Sequence, residues 1–159
     1  MKAVSKTILA VYLLILLWLL LFKSSFDLLM VFDYHRRSLN LIPFDRNGYS
    51  EMICNVIIFV PLGLLLSINF GQISVWRKLA FIFVFSLVIE IIQFVTAIGV
   101  ADLTDVITNT GGGLIGLVLY AWSKTYVYDE KLDRYILYII STLLIVFLLL
   151  RTFIFKVRY

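Results

Sequence analysis

Five apolar runs of bilayer length constrain this chain more than any other feature. They fall at about 8–22, 52–69, 79–98, 104–122 and 135–154. A helix of about 20 apolar residues crosses the hydrocarbon core and satisfies its own backbone polar groups there. The expected fold is therefore all-α: a polytopic transmembrane helical bundle of about five spans. Four of them form a core over 8–122, and 123–159 adds a charged connector and a C-terminal helix, one domain overall. Composition points the same way, because 62% of the residues are hydrophobic and soluble domains stay nearer half.

The first run lies between Lys6 and Lys23 and has the basic start and apolar stretch of a signal peptide. The segment that follows, Lys23-Ser-Ser-Phe-Asp, has no small-residue cleavage pattern, so the run reads as a retained helix with Lys23 reaching the interface. The net charge is +4. Its Lys and Arg stand beside apolar runs, which suits lipid headgroups and orientation and not nucleic acid. With five spans the two sides tie at seven Lys and Arg each. The loop between the third and fourth runs has none, while the loops flanking it do. That favours a cytoplasmic N-terminus, with the first and third loops outside the cell.

Metal and nucleophile chemistry find little support. There is one His and one Cys, with no His-Glu-x-x-His pair and no nucleophile elbow. Cys54 lies inside an apolar run and reads as packing. Gly111-Gly112-Gly113 is no phosphate loop, since it is embedded in apolar sequence without a following Gly-Lys-Ser/Thr. A divalent cation on Asp102, Asp105 and Glu90 is chemically permissible. It stays a minor alternative, and no metal or cofactor is expected.

The polar residues inside the runs mark the candidate site. Asp102-Leu-Thr-Asp-Val-Ile-Thr-Asn-Thr-Gly leads two acids and an amide straight into a glycine-rich helix. At 100° per residue, Asp105, Asn109, Gly112 and Gly116 share one stripe of that helix. Thr108, Gly112 and Gly116 form a ladder of small residues that admits a close neighbour. A plainer reading gives Asp102 the N-cap and Asp105 a favourable first-turn position. Asn109, a turn deeper, is outside that account. Glu90 sits within the third run on a stripe with Ser86, Gln93 and Ala97. An acid at such depth costs about 2.5–3.5 kcal/mol on the insertion scale and usually faces a protein interior. It either ties helices together or serves a ligand. Arg37 or Arg36 of the polar loop 33–50 is the expected basic partner, and Lys23 the second choice. Within that loop Leu39-Asn-Leu-Ile-Pro-Phe44 is apolar enough to lie on the membrane or fold back into the bundle. Asn55 is placed to bond across helices, and Pro61 in the middle of its helix is expected to kink it.

Taken in order, these residues resemble the VanZ-like family of small bacterial membrane proteins. The resemblance runs from Leu17-Trp-Leu-Leu-Leu-Phe-Lys23 to about Tyr120. It includes Arg37-Ser-Leu-Asn-Leu-Ile-Pro-Phe44 with Asn40, Asn55-Val-Ile-Ile-Phe-Val-Pro-Leu-Gly63, Glu90-Ile-Ile-Gln93 and the Asp102–Gly112 segment. One departure is that Gly99-Val-Ala101 stands where many members carry an Arg shortly before the paired acids. The resemblance implies a cell-envelope protein linked to lowered susceptibility to lipoglycopeptides such as teicoplanin. It supplies no mechanism. Three readings stay open: binding of an amphiphile or lipid-linked cell-wall component at the outer face, a small enzyme on a lipid-linked phosphate substrate, and a transporter or flippase component. The first is preferred, with Arg37, Asn40, Asn55, Glu90, Gln93, Asp102, Asp105 and Asn109 lining the pocket. Pro61, Gly63, Gly112 and Gly116 then shape the packing beneath it.

Overall fold

Each apolar run forms a helix, and most of the helices extend beyond their runs into polar sequence. The computed structural model describes residues 2–21, 38–40, 42–44, 48–97 and 100–158. The helices are α1 (Lys2–Leu21), α2 (Tyr49–Asn69), α3 (Val75–Thr96), α4 (Leu103–Ser123) and α5 (Asp129–Arg158). Two short strands, β1 (Ser38–Asn40) and β2 (Val100–Asp102), pair in parallel. The chain is thus an all-α membrane bundle with one small two-stranded ribbon. By length and apolarity α1, α2, α3 and most of α5 qualify as membrane spans. Helix α4 is less apolar because its inward face carries Thr104, Asp105, Thr108, Asn109 and three glycines.

Two expected boundaries shift. Helix α3 begins at Val75 instead of 79, which brings Arg77 and Lys78 into its first turn. Helix α5 begins at Asp129 instead of 135, and the connector shrinks to 124–128. Hydropathy marks only the stretch that lies in hydrocarbon. The backbone keeps its helical hydrogen bonds on into the headgroup zone, where polar side chains are welcome.

Helices α2 and α4 pack backbone against backbone. A Cβ added to Gly112 would meet the Val56 carbonyl, and one added to Gly116 would meet the Val60 carbonyl. From the other side, a Cβ on Gly63 would strike the Gly113 carbonyl and stand 2.8 Å from the Leu117 nitrogen. Lipid offers no hydrophobic drive for helix association, so this close van der Waals fit is what such small residues contribute. Around the seam Leu16, Phe59, Leu62, Leu65, Ile82, Ile89 and Leu117 are fully enclosed. Helix α2 runs through Pro61 as one helix. Proline leaves the Ile57 carbonyl without its helical donor. One residue on, the Tyr12 hydroxyl of α1 donates to the Ile58 carbonyl at 2.6 Å.

Cys54 is a correction. It is exposed on the outer surface of α2 and does not pack in the core. Its neighbour Asn55 takes the inward position, and 100° of rotation carries Cys54 away from it.

Successive helices run in opposite directions, so the bundle has two unlike ends. The Ser5 hydroxyl donates to Asn69 Oδ1 at 3.0 Å and fastens the start of α1 to the end of α2. The Tyr120 hydroxyl donates to Asp133 Oδ1 at 2.7 Å, which joins the end of α4 to the start of α5. Lys2, Lys6, Arg77, Lys78, Lys124, Lys131 and Arg134 therefore gather at that end. Trp76, Trp122, Tyr126, Tyr128 and Tyr135 stand exposed among them, as aromatic side chains do at a membrane–water interface. The opposite end holds Glu51, Glu90, Asp102 and Asp105.

Candidate functional site

Asp102 closes β2 and opens α4, and three elements meet on it. Its Oδ1 accepts the Thr104 N–H at 2.7 Å, which makes it the N-cap of α4. Its Oδ2 accepts from Asn40 Nδ2 of β1 at 2.9 Å. Its own backbone N–H donates to Glu90 Oε2 of α3 at 2.8 Å. Such charge-assisted bonds are among the stronger ones available to a buried carboxylate. Asn40 turns its Oδ1 to the Ile42 N–H at 3.2 Å. The chain then reaches Phe44, whose N–H donates to the Thr104 hydroxyl at 3.0 Å. Phe44 has a φ of 66°, a left-handed conformation that a non-glycine residue holds only when its surroundings enforce it.

One turn further along α4 lies a second pair. Asn55 Nδ2 donates to Asp105 Oδ1 at 2.7 Å and reaches toward the Thr108 hydroxyl at 3.5 Å. A further turn on, Asn109 Nδ2 donates to the Ser86 hydroxyl at 2.8 Å. Gln93 points elsewhere, donating from Nε2 to the Leu20 carbonyl at the end of α1 at 2.9 Å. All these side chains are buried. Glu90 and Asp105 each engage a further partner besides those named. Asn109 Oδ1 and Gln93 Oε1 are buried without a hydrogen-bond partner among the described residues. A buried acceptor left so costs about 1–3 kcal/mol.

Beside the Asp102 latch lies a cavity of about 170 Å³. Leu39, Leu87, Ile91, Phe94 and Val106 line it, and Glu90 and Asp102 contribute to its wall. It is an apolar slot: Glu90 and Asp102 stand in its wall, with their carboxylates bonded to the Asp102 N–H, the Thr104 N–H and Asn40. Among the described residues no three His, Cys, Asp or Glu side chains are grouped to hold a metal ion. Glu90 and Asp102 meet through a backbone N–H and not across a gap for a cation.

The VanZ/LLP1 family model matches residues 9–124. Protein VanZ of Enterococcus faecium is 53% identical over 152 residues, covering 95% of this chain and 94% of that protein. The chain belongs to the VanZ/LLP1 family. No solved structure matches it. The matched residues take in α1 from Leu9 onward, α2 to α4, the ribbon and the whole polar cluster, whereas α5 lies beyond them.

Within this VanZ/LLP1 core the eight residues expected to line one pocket are distributed along the bundle. Asn40, Glu90 and Asp102 form one bonded set, Asn55 and Asp105 a second, and Asn109 with Ser86 a third. Gln93 serves α1 instead. Arg37, the expected basic partner, lies outside the described residues, as do Arg36 and Lys23. Gly63, Gly112 and Gly116 lie on the α2–α4 seam. Pro61 is on α2 and faces α1 and α5, where it lines an apolar groove. Sequence reasoning passed over Thr104, which is fully buried and bonded through both its hydroxyl and its N–H. Its position two residues after an N-cap acid was the available signal. It also passed over Tyr12, which looks like one more apolar residue of α1 until its hydroxyl finds Ile58.

Proposed function

We propose that this VanZ/LLP1-family membrane protein engages an amphiphile at the outer face of the bacterial plasma membrane. By doing so it lowers susceptibility to lipoglycopeptides such as teicoplanin. The observation that carries the reading is the cavity beside Glu90 and Asp102: an apolar slot with these two acidic residues in its wall. A lipoglycopeptide offers an acyl tail and a cationic amine, which are the two chemistries that such a slot would receive. A lipid-linked cell-wall precursor offers the tail alone to the apolar walls and would need a basic residue for its phosphates. The orientation belongs to the same proposal. The end where α1 begins faces the cytoplasm, and the end of the Asp102 cluster, whose loop between α3 and α4 has no Lys or Arg, faces outward.

The test is a set of variants, Glu90→Gln, Asn55→Ala, Asp105→Asn and Arg37→Ala, expressed in a susceptible Gram-positive host. Membrane abundance and susceptibility are scored together, with teicoplanin compared against a glycopeptide lacking an acyl tail. Protection confined to the tailed drug, and lost in Glu90→Gln at normal abundance, supports the reading. Equal protection against both drugs overturns it.

A further inference from the structure

We propose that the seam between α1 and α5 is a binding site for an anionic phospholipid, with the phosphate on Arg134 and one acyl chain running up the seam. Two separate cavities of about 320 Å³ each adjoin α1 and α5, and the second is also bounded by α2. The one at the basic end is lined by Val4, Ile8, Arg134, Leu137, Tyr138 and Ser141. The other lies deeper, between Ile15, Leu19, Pro61, Leu143 and Phe147, and also touches Tyr12. On α1 the residues Val4, Ile8, Tyr12, Ile15 and Leu19 recur every three or four positions, so they form one continuous stripe.

The polarity of this seam is graded like a lipid. A guanidinium and two hydroxyls, from Tyr138 and Ser141, stand at its basic end. Beyond them the lining is apolar except for Tyr12, whose hydroxyl is already bonded to the Ile58 carbonyl. Arg134 adjoins the exposed aromatic residues that mark the interface, Tyr135 among them, so it sits at headgroup level. From Val4 to Leu19 the stripe rises about 22 Å, more than the roughly 15 Å that one leaflet contributes to the hydrocarbon core. An acyl chain from the leaflet at that end therefore fits along it.

Charge decides which lipid. Seven Lys and Arg gather at this end against the three acids Asp129, Glu130 and Asp133, which leaves it net positive. A net-negative headgroup is therefore favoured over a zwitterionic one, by about 1 kcal/mol for each basic side chain near the surface. The site is separate from the acid cluster at the other end and holds whether or not that cluster binds an amphiphile.

The test uses the full chain in nanodiscs containing equal phosphatidylglycerol and phosphatidylcholine, released gently and weighed by native mass spectrometry. Phosphatidylglycerol should remain bound in preference to phosphatidylcholine. Arg134→Ala should cut that retention about fivefold, the worth of one basic side chain at an anionic surface. Leu143→Trp, which fills the deeper cavity, should displace the lipid. Gln72→Ala, an exposed and uncharged change at the same end outside the lining, should leave retention as in the parent protein. Equal retention of the two lipids, or an Arg134→Ala protein that retains lipid like the parent, overturns the proposal. Circular dichroism establishes that each variant is folded, and if Leu143→Trp is not, Arg134→Ala decides alone.

Discussion

Glu90 accepts the backbone N–H of Asp102 at 2.8 Å and so clamps the later part of α3 to the N-cap of α4. The bond spans twelve residues of chain and converts the intramembrane acid into the anchor of a loop. Helix α3 ends in the left-handed Ala97, whose N–H returns to the Gln93 carbonyl. Beyond it the chain must reverse and present β2 to β1. A carboxylate held at the rim of the bundle gives the turn a fixed point, and Asn40 ties the partner strand to the same place.

Replacing Glu90 with Gln keeps an oxygen for the Asp102 N–H, whereas Leu leaves a buried donor unpaired at about 1–3 kcal/mol. For a chain of this size each kcal/mol lowers the melting temperature by roughly 2–4 °C. Thermal unfolding in detergent should therefore rank the parent and Glu90→Gln close together, with Glu90→Leu well below. A Gln variant as unstable as Leu would show that the charge of Glu90, and not its acceptor, holds the loop.

Asp102→Ala removes an N-cap, commonly worth about 0.5–2 kcal/mol, together with the link to Asn40. Asn40→Ala removes the link and the acceptor of the Ile42 N–H but leaves the cap, and should cost less. The double variant should fall short of the sum of the two, because both single changes break the same Asn40–Asp102 bond. Full additivity in the melts would mean that the strand is held by something other than this bond.

The glycines of α4 separate cleanly. Gly111 faces open space, so Gly111→Ala should stabilise by up to about 1 kcal/mol through helix propensity alone. Gly112→Ala and Gly116→Ala would drive a methyl group into the Val56 and Val60 carbonyls, forcing α2 and α4 apart. Both should lower thermal stability and membrane abundance. If all three variants behave alike, the α2–α4 seam is not as close as described.

Adjacent residues of α2 offer a control against general sensitivity. Asn55 is buried and donates to Asp105, so Asn55→Ala removes a hydrogen bond to a buried carboxylate and should destabilise by more than 1 kcal/mol, on the order of a lost bond to a charged group. Cys54 is exposed, and Cys54→Ala should stay within about 0.5 kcal/mol of the parent. A melt in which Cys54→Ala matches Asn55→Ala would place the helix face wrongly by a full residue.

Much of the fold was open to a reading of the residues alone. Bilayer-length apolar runs announce helices because the backbone has no other way to satisfy itself in hydrocarbon. A glycine at every fourth position announces a close approach, although not which helix makes it. The ribbon was not legible, since Ser38–Asn40 and Val100–Asp102 are three residues each, too short for alternation to register. Cys54 and Asn55 illustrate a further limit. Both lie in one apolar helix, and an all-round apolar surface carries little periodicity to say which side faces in.

The sequence by itself determined that this is a helical membrane protein of the VanZ-like kind, and which polar residues its helices must carry into the bundle. Both are local properties: the hydropathy of a window, and residue types in a given order. Only the tertiary structure decided what those residues do. It made Asp102 both a cap and the junction of Asn40 and Glu90, paired Asn55 with Asp105 across 50 residues of chain, and sent Gln93 to α1. A hydrogen bond forms when donor and acceptor come within about 3 Å. That distance depends on the rotation and depth of whole helices against one another, which no window of sequence contains.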